Sequence, residues 1–106
     1  MRIIDHHIAG KTVAAGSRTS PVFDPNSGNV QAEVRLAGMD LLEQAVAAAR
    51  AAQPGWAATN PQRRARVMFK FKELVEARMD ELARVLSSEH GKVLADSRGD
   101  IQRGLE

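Results

Sequence analysis

The chain has 106 residues, which is room for one small domain and too little for a complete enzyme with separate cofactor and substrate domains. Its composition, 43% hydrophobic and 26% charged with a formal net charge of +2, is typical of a globular protein and too weakly basic for a domain that neutralises many phosphates. It contains no cysteine, which excludes disulfides, thiolate metal sites and thiol nucleophiles from these residues. The sequence shows no transmembrane or signal-like segment, so the predicted location is the cytoplasm.

A β-hairpin is predicted in the first third of the chain, after a short extended run around Ile8. Residues 24–28 (DPNSG) have turn chemistry, and Val22 and Phe23 before them end one strand. Residues 30–36 form the other strand, because apolar and polar side chains alternate there without a break. The predicted buried face comprises Val30, Ala32, Val34 and Leu36. Two strands alone are marginal in water, so the hairpin needs a surface to pack on.

The period becomes helical after Gly38, and the first helix is predicted to end at Pro54-Gly55, with Trp56 filling the gap to the next helix. Asn60 and Pro61 then form an N-cap and a first helical position, and Gly91 provides a C-terminal cap. The predicted core stripe of this second helix comprises Met68, Phe71, Val75, Met79, Leu82 and Leu86, widened by Phe69, Leu74 and Val85. A helix over residues 61–89 would be about 43 Å long, which exceeds the roughly 33 Å diameter of a compact globule of this size.

A third helix is predicted to start near Val93 or Leu94, with Ile101 and Leu105 on one face and no terminating signal before Glu106. The open end, the long second helix and the unsupported hairpin together predict the N-terminal piece of a larger fold. A domain-swapped or oligomeric small protein would give the same three signs.

Catalytic machinery is not recognisable in these residues. His6 and His7 are neighbours on a predicted strand and point to opposite faces, and His90 is far away in sequence, so a histidine metal site is not predicted. The sequence contains no GxGxxG, GxxxxGK[ST] or GxSxG motif. A basic run is present, but acidic residues follow it directly, which favours a solvated helix face over a nucleic-acid patch. This run comprises Arg63, Arg64, Arg66, Lys70 and Lys72.

The order of motifs resembles the N-terminus of the aldehyde dehydrogenase superfamily. The motifs are the DPNSGNV turn, the alternating strand, an Ala-rich helix ending in PGWA, and a helix that begins RRARVMFKF. Within that superfamily, SSEHGK followed by GDIQRGLE is most similar to the CoA-acylating methylmalonate-semialdehyde dehydrogenases. The resemblance extends from about Ile8 to Glu106.

The resemblance implies NAD-dependent oxidation of malonate or methylmalonate semialdehyde, with a cysteine thiolate attacking the aldehyde and coenzyme A accepting the acyl group. The family's cysteine and its nucleotide-binding residues lie downstream of the matched part, so the 106-residue chain alone is predicted to be inactive. The family also implies a homo-oligomer in the full-length form, while the weak net charge and the lack of a long apolar segment predict neither a nucleic-acid nor a membrane partner.

Two sets of site residues follow from the resemblance. Arg103 matches the family arginine that holds the substrate carboxylate, a role that suits a guanidinium because it is permanently charged and offers two parallel donors. Some members bind a monovalent cation through backbone oxygens at the equivalents of Val22 and Phe23 and an aspartate where this chain has Glu89.

The predicted fold is therefore an α+β segment, with a β-hairpin region over residues 1–36 and three helices over residues 37–106. It forms the N-terminal portion of the cofactor domain in an aldehyde-dehydrogenase-like α/β fold. Its predicted role is to scaffold that domain and to supply Arg103. The alternative is a small helical module that associates with itself through the Met68-to-Leu86 stripe and has no catalytic activity.

Overall fold

A computed structural model describes all 106 residues, which form five strands and four helices. The residues divide into two compact units. The first comprises Met1–Phe23 and Val30–Thr59, and the second comprises Asp24–Asn29 and Asn60–Glu106. The predicted fold class, a mixed α and β segment, is confirmed. None of the helices combines the length and apolar character needed to cross a bilayer.

The first unit contains a three-stranded sheet and a separate two-stranded hairpin. The strands are β1 (Arg2–Ile4), β2 (His6–Ile8), β3 (Lys11–Val13), β4 (Thr19–Phe23) and β5 (Val30–Arg35). In the larger sheet β5 is central, antiparallel to β4 and parallel to β1. The predicted hairpin is thus confirmed as β4 and β5, and β1 adds a strand that local sequence patterns did not reveal.

The two faces of β5 differ less in side-chain burial than the alternating pattern predicts. Ala32 is fully buried and Val34 is half-buried, but Val30 and Leu36 are 39% and 36% exposed. The reason lies in the pairing, because β1 faces β5 only from Ala32 to Val34 and leaves both ends of that edge uncovered. The prediction of a uniformly buried face was therefore wrong at the two ends of the strand.

The hairpin of β2 and β3 reverses through a two-residue loop, Ala9 and Gly10. Both residues have positive φ, 52° and 77°, as a type I′ turn requires. His6 is half-buried and its Nε2 lies 3.0 Å from the carbonyl oxygen of Ala15, whereas the adjacent His7 is exposed. The two histidines therefore sit in different environments, as the alternation of side chains along a strand predicts.

Helix α1 (Met39–Ala58) passes through Pro54, so the prediction that it ends at Pro54-Gly55 was wrong. Proline removes one helical donor and costs about 3 kcal/mol in a helix interior. The surrounding turns are rich in alanine, the strongest helix former, and they are exposed, so water can satisfy the carbonyl that loses its partner. Trp56 lies inside this helix and is 45% exposed, which corrects its predicted role as a filler between two helices.

The second unit contains α2 (Pro61–Ala77), α3 (Met79–His90) and α4 (Leu94–Leu105). The single helix predicted over residues 61–89 is divided at Arg78, whose φ of −113° and ψ of 19° depart from helical values. The backbone N–H of Arg78 donates to the carbonyls of both Leu74 and Val75, which ends α2 without leaving this donor unpaired. Because the helix is divided, no helix reaches the predicted length of about 43 Å, and the prediction of one helix too long for its domain was wrong.

Most of the predicted core stripe is exposed within the chain. Val75, Met79 and Leu86 are half-buried, but the side chains near the start of the stripe are more than half exposed. These are Met68 (55%), Phe69 (69%) and Phe71 (59%). The reason is that α4 packs mainly on α3, and α2 makes fewer contacts with either of these helices.

Both predicted caps in this unit are present. The Asn60 side chain accepts a hydrogen bond of 2.8 Å from the backbone N–H of Gln62, and Pro61 follows it as the first helical residue. Gly91 ends α3 with a φ of 92°, and its N–H donates to the carbonyl of Ser87 at 2.8 Å. The predicted start of the last helix near Val93 or Leu94 is also confirmed.

Candidate functional site

Helices α3 and α4 pack against each other, and each buries one small side chain. Ala83 on α3 and Ser97 on α4 are both fully buried. The Ser97 hydroxyl lies 2.7 Å from the hydroxyl of Ser87, so the buried polar group has a hydrogen-bond partner. Close packing with a satisfied polar pair gives α4 a defined position on α3, and with it the residues that α4 carries.

The loop between these helices is fixed by Gly91. Its left-handed φ is unfavourable for any other residue, and a Cβ there would lie only 2.9 Å from Cγ of Pro25 in the Asp24–Asn29 loop. That loop has its own hydrogen bonds, including one of 2.8 Å from the N–H of Asn26 to the Asp24 carboxylate. The backbone at the start of α4 is therefore closely constrained.

Lys92 follows Gly91 and forms an ion pair with Asp100, two turns into α4. The hydrogen bond from Lys92 and the charge of its ammonium group lower the pKa of Asp100 below its ordinary value. The positive charges of Arg103 and His90 act weakly in the same direction, and desolvation opposes them. A second ion pair joins α4 to α3, between Arg98 and Asp80, with Nη2 and Oδ1 2.9 Å apart.

Arg103 lies in the last turn of α4 and is exposed. Asp100 is three residues before it on the same helix, within electrostatic range. The Arg103 guanidinium nevertheless forms neither an ion pair nor a side-chain hydrogen bond in the chain, and Asp100 is engaged by Lys92 through Oδ2. An exposed guanidinium with all its donors available, carried on a well-packed helix, is suited to binding a planar anion such as a carboxylate.

Two depressions flank the α3–α4 pair. An apolar groove of about 460 Å³ lies between the helices of the second unit. Its lining comprises Phe71, Val75, Leu82, Val85, Leu86, Glu89, Ile101, Gly104 and Leu105. A more open polar depression of about 580 Å³ contains Asp24, Arg84, Ser88 and Lys92 among its lining residues. Arg103 is not part of the lining of either.

The residues predicted to bind a monovalent cation are divided between the two units. Val22 and Phe23 end β4 in the first unit, and Glu89 is in the last turn of α3 in the second. The ladder shifts register between Val22 and Phe23, and the Phe23 carbonyl accepts a hydrogen bond of 3.2 Å from the side-chain amide of Gln31. A carbonyl oxygen has two lone pairs, so this bond leaves one for another partner. The cation site stays a prediction.

The basic run lies along α2 and forms ordinary surface pairs. Lys70 lies 3.4 Å from Glu73 and Lys72 lies 3.9 Å from Glu76, as the three- and four-residue spacings predict. Arg64 is half-buried, and its Nε has no hydrogen-bond partner. No cluster of three or more histidine or acidic side chains in the chain is arranged to hold a metal ion.

The family motif singles out Arg103, whose role stays a prediction, but the residues that surround it were not predicted. Lys92 precedes α4 and Asp100 lies eight residues later within it, and no local sequence rule predicts an ion pair at that spacing. The pairing of Ser87 with Ser97 similarly depends on how α4 packs on α3. The one available signal was the spacing of Asp100 and Arg103, since side chains three residues apart on a helix are neighbours.

Comparison with known proteins agrees with the motifs. The model of the aldehyde dehydrogenase family matches residues 12–106. The chain belongs to the aldehyde dehydrogenase family. A curated member, malonate-semialdehyde dehydrogenase of Pseudomonas aeruginosa, is 41% identical over the whole chain. This membership does not favour the alternative of an independent self-associating module.

Solved structures of family members have the same fold over this part. A Sinorhizobium meliloti protein assigned as a methylmalonate-semialdehyde dehydrogenase, crystallised with NAD, is 55% identical with a TM-score of 0.95. The methylmalonate-semialdehyde dehydrogenase of Oceanimonas doudoroffii is 44% identical with a TM-score of 0.96. Each comparison covers 99% of this chain and 22% of the solved one. The chain also spans only 21% of the Pseudomonas relative's length.

Proposed function

We propose that these residues are the N-terminal part of an NAD-dependent, CoA-acylating malonate- or methylmalonate-semialdehyde dehydrogenase. In this proposal residues 1–106 belong to the cofactor domain, scaffold it, and supply Arg103 to hold the substrate carboxylate. The observation that carries the proposal is the unpaired guanidinium of Arg103 on a helix fixed by Ala83, Ser97 and two ion pairs. The names of the relatives supply the substrate class.

The carboxylate distinguishes this substrate class from simple aldehydes. At neutral pH a malonate semialdehyde carries a negative charge, on its ionised carboxylate, close to the carbonyl that reacts. A guanidinium that binds this charge with two parallel hydrogen bonds fixes the orientation of the substrate as well as its position. It contributes nothing comparable to an uncharged aldehyde. Arg103 therefore accounts for selectivity, and the chemical step is assigned to other parts of the enzyme.

The nucleotide is proposed to bind outside these residues, as the family resemblance implies. The left-handed glycines here, Gly10, Gly16, Gly28 and Gly91, occupy turns and a helix cap. None belongs to a glycine-rich loop that opens a helix, which is the usual cradle for a phosphate. Bound NAD would accept the hydride of the aldehyde, and we assign no part of that step to this chain.

The scaffold role is supported by the exposed apolar side chains of α2. Met68, Phe69 and Phe71 are each more than half exposed, and such clusters commonly mark surfaces that contact other protein. The relatives are nearly five times as long as this chain. We propose that the remainder of the enzyme covers this face. The cytoplasmic location, the homo-oligomer and the cation site at Val22, Phe23 and Glu89 stay predictions from the family resemblance.

Two experiments test the proposal. The purified 106-residue chain should show no aldehyde-dependent reduction of NAD, because it has no cysteine to form the thioester. Robust turnover by this chain would contradict the scaffold role.

For Arg103, we propose a chimera in which this chain replaces the matching fifth of the Pseudomonas aeruginosa malonate-semialdehyde dehydrogenase.

In the chimera, Arg103→Ala should lower kcat/KM for malonate semialdehyde by about 10- to 100-fold, the effect of losing a charge-assisted contact. It should change kcat/KM for propanal little, because propanal has no carboxylate. Arg103→Lys should give an intermediate loss, since the charge remains but the two-donor fork does not. Arg98→Ala is the matched control, because it removes an arginine of the same helix that is paired with Asp80. Equal losses on both substrates in Arg103→Ala would contradict the assignment.

A further inference from the structure

Asp100 is placed to compete with the substrate for Arg103. The two side chains are three residues apart on α4, a spacing at which an aspartate and an arginine commonly pair across one helical turn. Such a pair would engage part of the guanidinium's donors and neutralise the positive charge that the proposed function requires for the substrate carboxylate. Glu106, three residues beyond Arg103, likewise forms no ion pair with it.

The structure shows Asp100 paired elsewhere. Its Oδ2 accepts a hydrogen bond from the ammonium group of Lys92, which precedes α4. Lys92 is an anchored partner, because its side chain is only 23% exposed and its backbone follows Gly91, which is held in a left-handed conformation against Pro25. Arg103 is an exposed side chain on the surface of the helix.

We propose that Lys92 is a specificity-determining positioning residue, which engages Asp100 and so keeps Arg103 available for the carboxylate of the substrate. This inference rests on the proposed function, since it concerns the same arginine. Lys92 itself has no proposed contact with the substrate. It acts by neutralising the charge of Asp100, the internal competitor whose Oδ2 it engages, and it belongs to the loop that joins α3 to α4.

The charges around Asp100 agree with Lys92 being its main partner and Arg103 a weaker one. Lys92 is the main cause of the lowered pKa of Asp100, and Arg103 contributes less. Asp100 therefore remains ionised at neutral pH and would retain its charge if Lys92 were removed. Arg103 would then be the nearest cation available to it on the same helix.

The inference predicts a specific pattern of kinetic effects in the chimera. Lys92→Met should raise KM for malonate semialdehyde roughly twofold to fivefold, because a modest intrahelical pair would reduce the fraction of free Arg103. The kcat at saturation should change little, and so should KM for propanal. Asp100→Asn alone should leave KM for the semialdehyde unchanged or lower. The double variant, Lys92→Met with Asp100→Asn, should restore the original KM.

Two other outcomes would overturn the inference. If Asp100→Asn raises KM as much as Lys92→Met does, the ion pair matters only as a structural link that holds α4. If Arg98→Met raises KM equally, any loss of positive charge from this region has the same effect, and Lys92 has no special role. Arg98 is the matched control because it too holds an aspartate in an ion pair, Asp80 of α3, and carries the same charge as Lys92.

A failure of this inference can be distinguished from a failure of the proposed function. If Arg103→Ala selectively impairs the semialdehyde while Lys92→Met is silent, only the inference is wrong. If Arg103→Ala shows no selectivity, the proposed function itself is wrong. A readout without turnover uses the 106-residue chain, in which the Nε–H resonance of the Arg103 guanidinium should shift in Lys92→Met and return in the double variant. An unchanged resonance in Lys92→Met would contradict the inference.

Discussion

The hydroxyls of Ser87 and Ser97 lie 2.7 Å apart where α3 packs on α4. Ser97 has no solvent-accessible surface, so its hydroxyl cannot bind water and depends on the Ser87 hydroxyl for a hydrogen bond. This hydrogen bond helps to fix the distance between the two helices. The position of Arg103 at the other end of α4 depends on that distance.

We expect Ser97→Ala to lower the free energy of unfolding by about 1 kcal/mol, because it removes a hydrogen bond and leaves the Ser87 hydroxyl without its partner. Ser97→Leu should cost more, since a fully buried position has no room for three additional carbon atoms. Urea unfolding of the chain, followed by circular dichroism, measures both. In a double-mutant cycle with Ser87→Ala the two losses should be less than additive, and strict additivity would show that the hydroxyls do not interact.

Gly91→Ala should destabilise the chain by about 1–2 kcal/mol from its left-handed backbone alone. The added Cβ would also lie 2.9 Å from Pro25, which forces the Asp24–Asn29 loop to move. Gly99→Ala is the matched control, because Gly99 is inside α4 with open space at its Cβ position. That change should stabilise the chain by about 0.5–1 kcal/mol. The melting temperatures of both variants give the comparison. A Gly91→Ala variant as stable as the parent would show that a side chain at position 91 causes no strain.

Asn60→Ala should cost about 1 kcal/mol, since it leaves the N–H of Gln62 at the start of α2 without its acceptor. Asn60→Asp should retain most of the stability, because a carboxylate accepts the same hydrogen bond and its charge interacts favourably with the helix dipole. Chemical denaturation of the three proteins provides the comparison. A loss in Asn60→Asp equal to that in Asn60→Ala would mean that the side-chain cap contributes nothing.

The ion pair of Lys92 and Asp100 predicts a pH dependence of stability. The pKa of Asp100 is lowered in the folded state, so the folded protein binds fewer protons there than the unfolded chain does. The stabilising contribution is complete above the ordinary aspartate value of 3.8 and is lost as the pH falls through the lowered folded value. Carboxyl carbon NMR of the chain should show Asp100 titrating below 3.8. In Lys92→Met the titration should move upward, and an unshifted midpoint in that variant would contradict the pairing.

Local signals in the sequence predicted the features that depend on neighbouring residues. The turn before Val30, the cap at Asn60 and the left-handed end at Gly91 each require only a few adjacent residues, and all three are present. The passage of α1 through Pro54 was missed because a local rule against proline was outweighed by alanine-rich flanks in water. The break at Arg78 has no proline or glycine to mark it.

Features set by packing were beyond the reach of local patterns. The apolar spacing from Met68 to Leu86 correctly indicates an amphipathic helix, but it cannot say whether anything covers the stripe. The burial of Ser97 and the partner of Asp100 depend on the contact of α3 with α4. Arg103 was identified by resemblance to a family motif, and its unpaired state became visible only in the structure.

The parallel pairing of β1 with β5 also has a kinetic consequence. Arg2 aligns with Ala32, so the intervening chain must close a long loop before the three-residue ladder forms, whereas β4 and β5 meet across one short turn. We therefore expect the antiparallel pair to assemble early during folding and the N-terminal strand to join late and to fray first. When that strand detaches, the central strand exposes a row of backbone donors and acceptors, which a strand of another molecule could occupy and so begin aggregation.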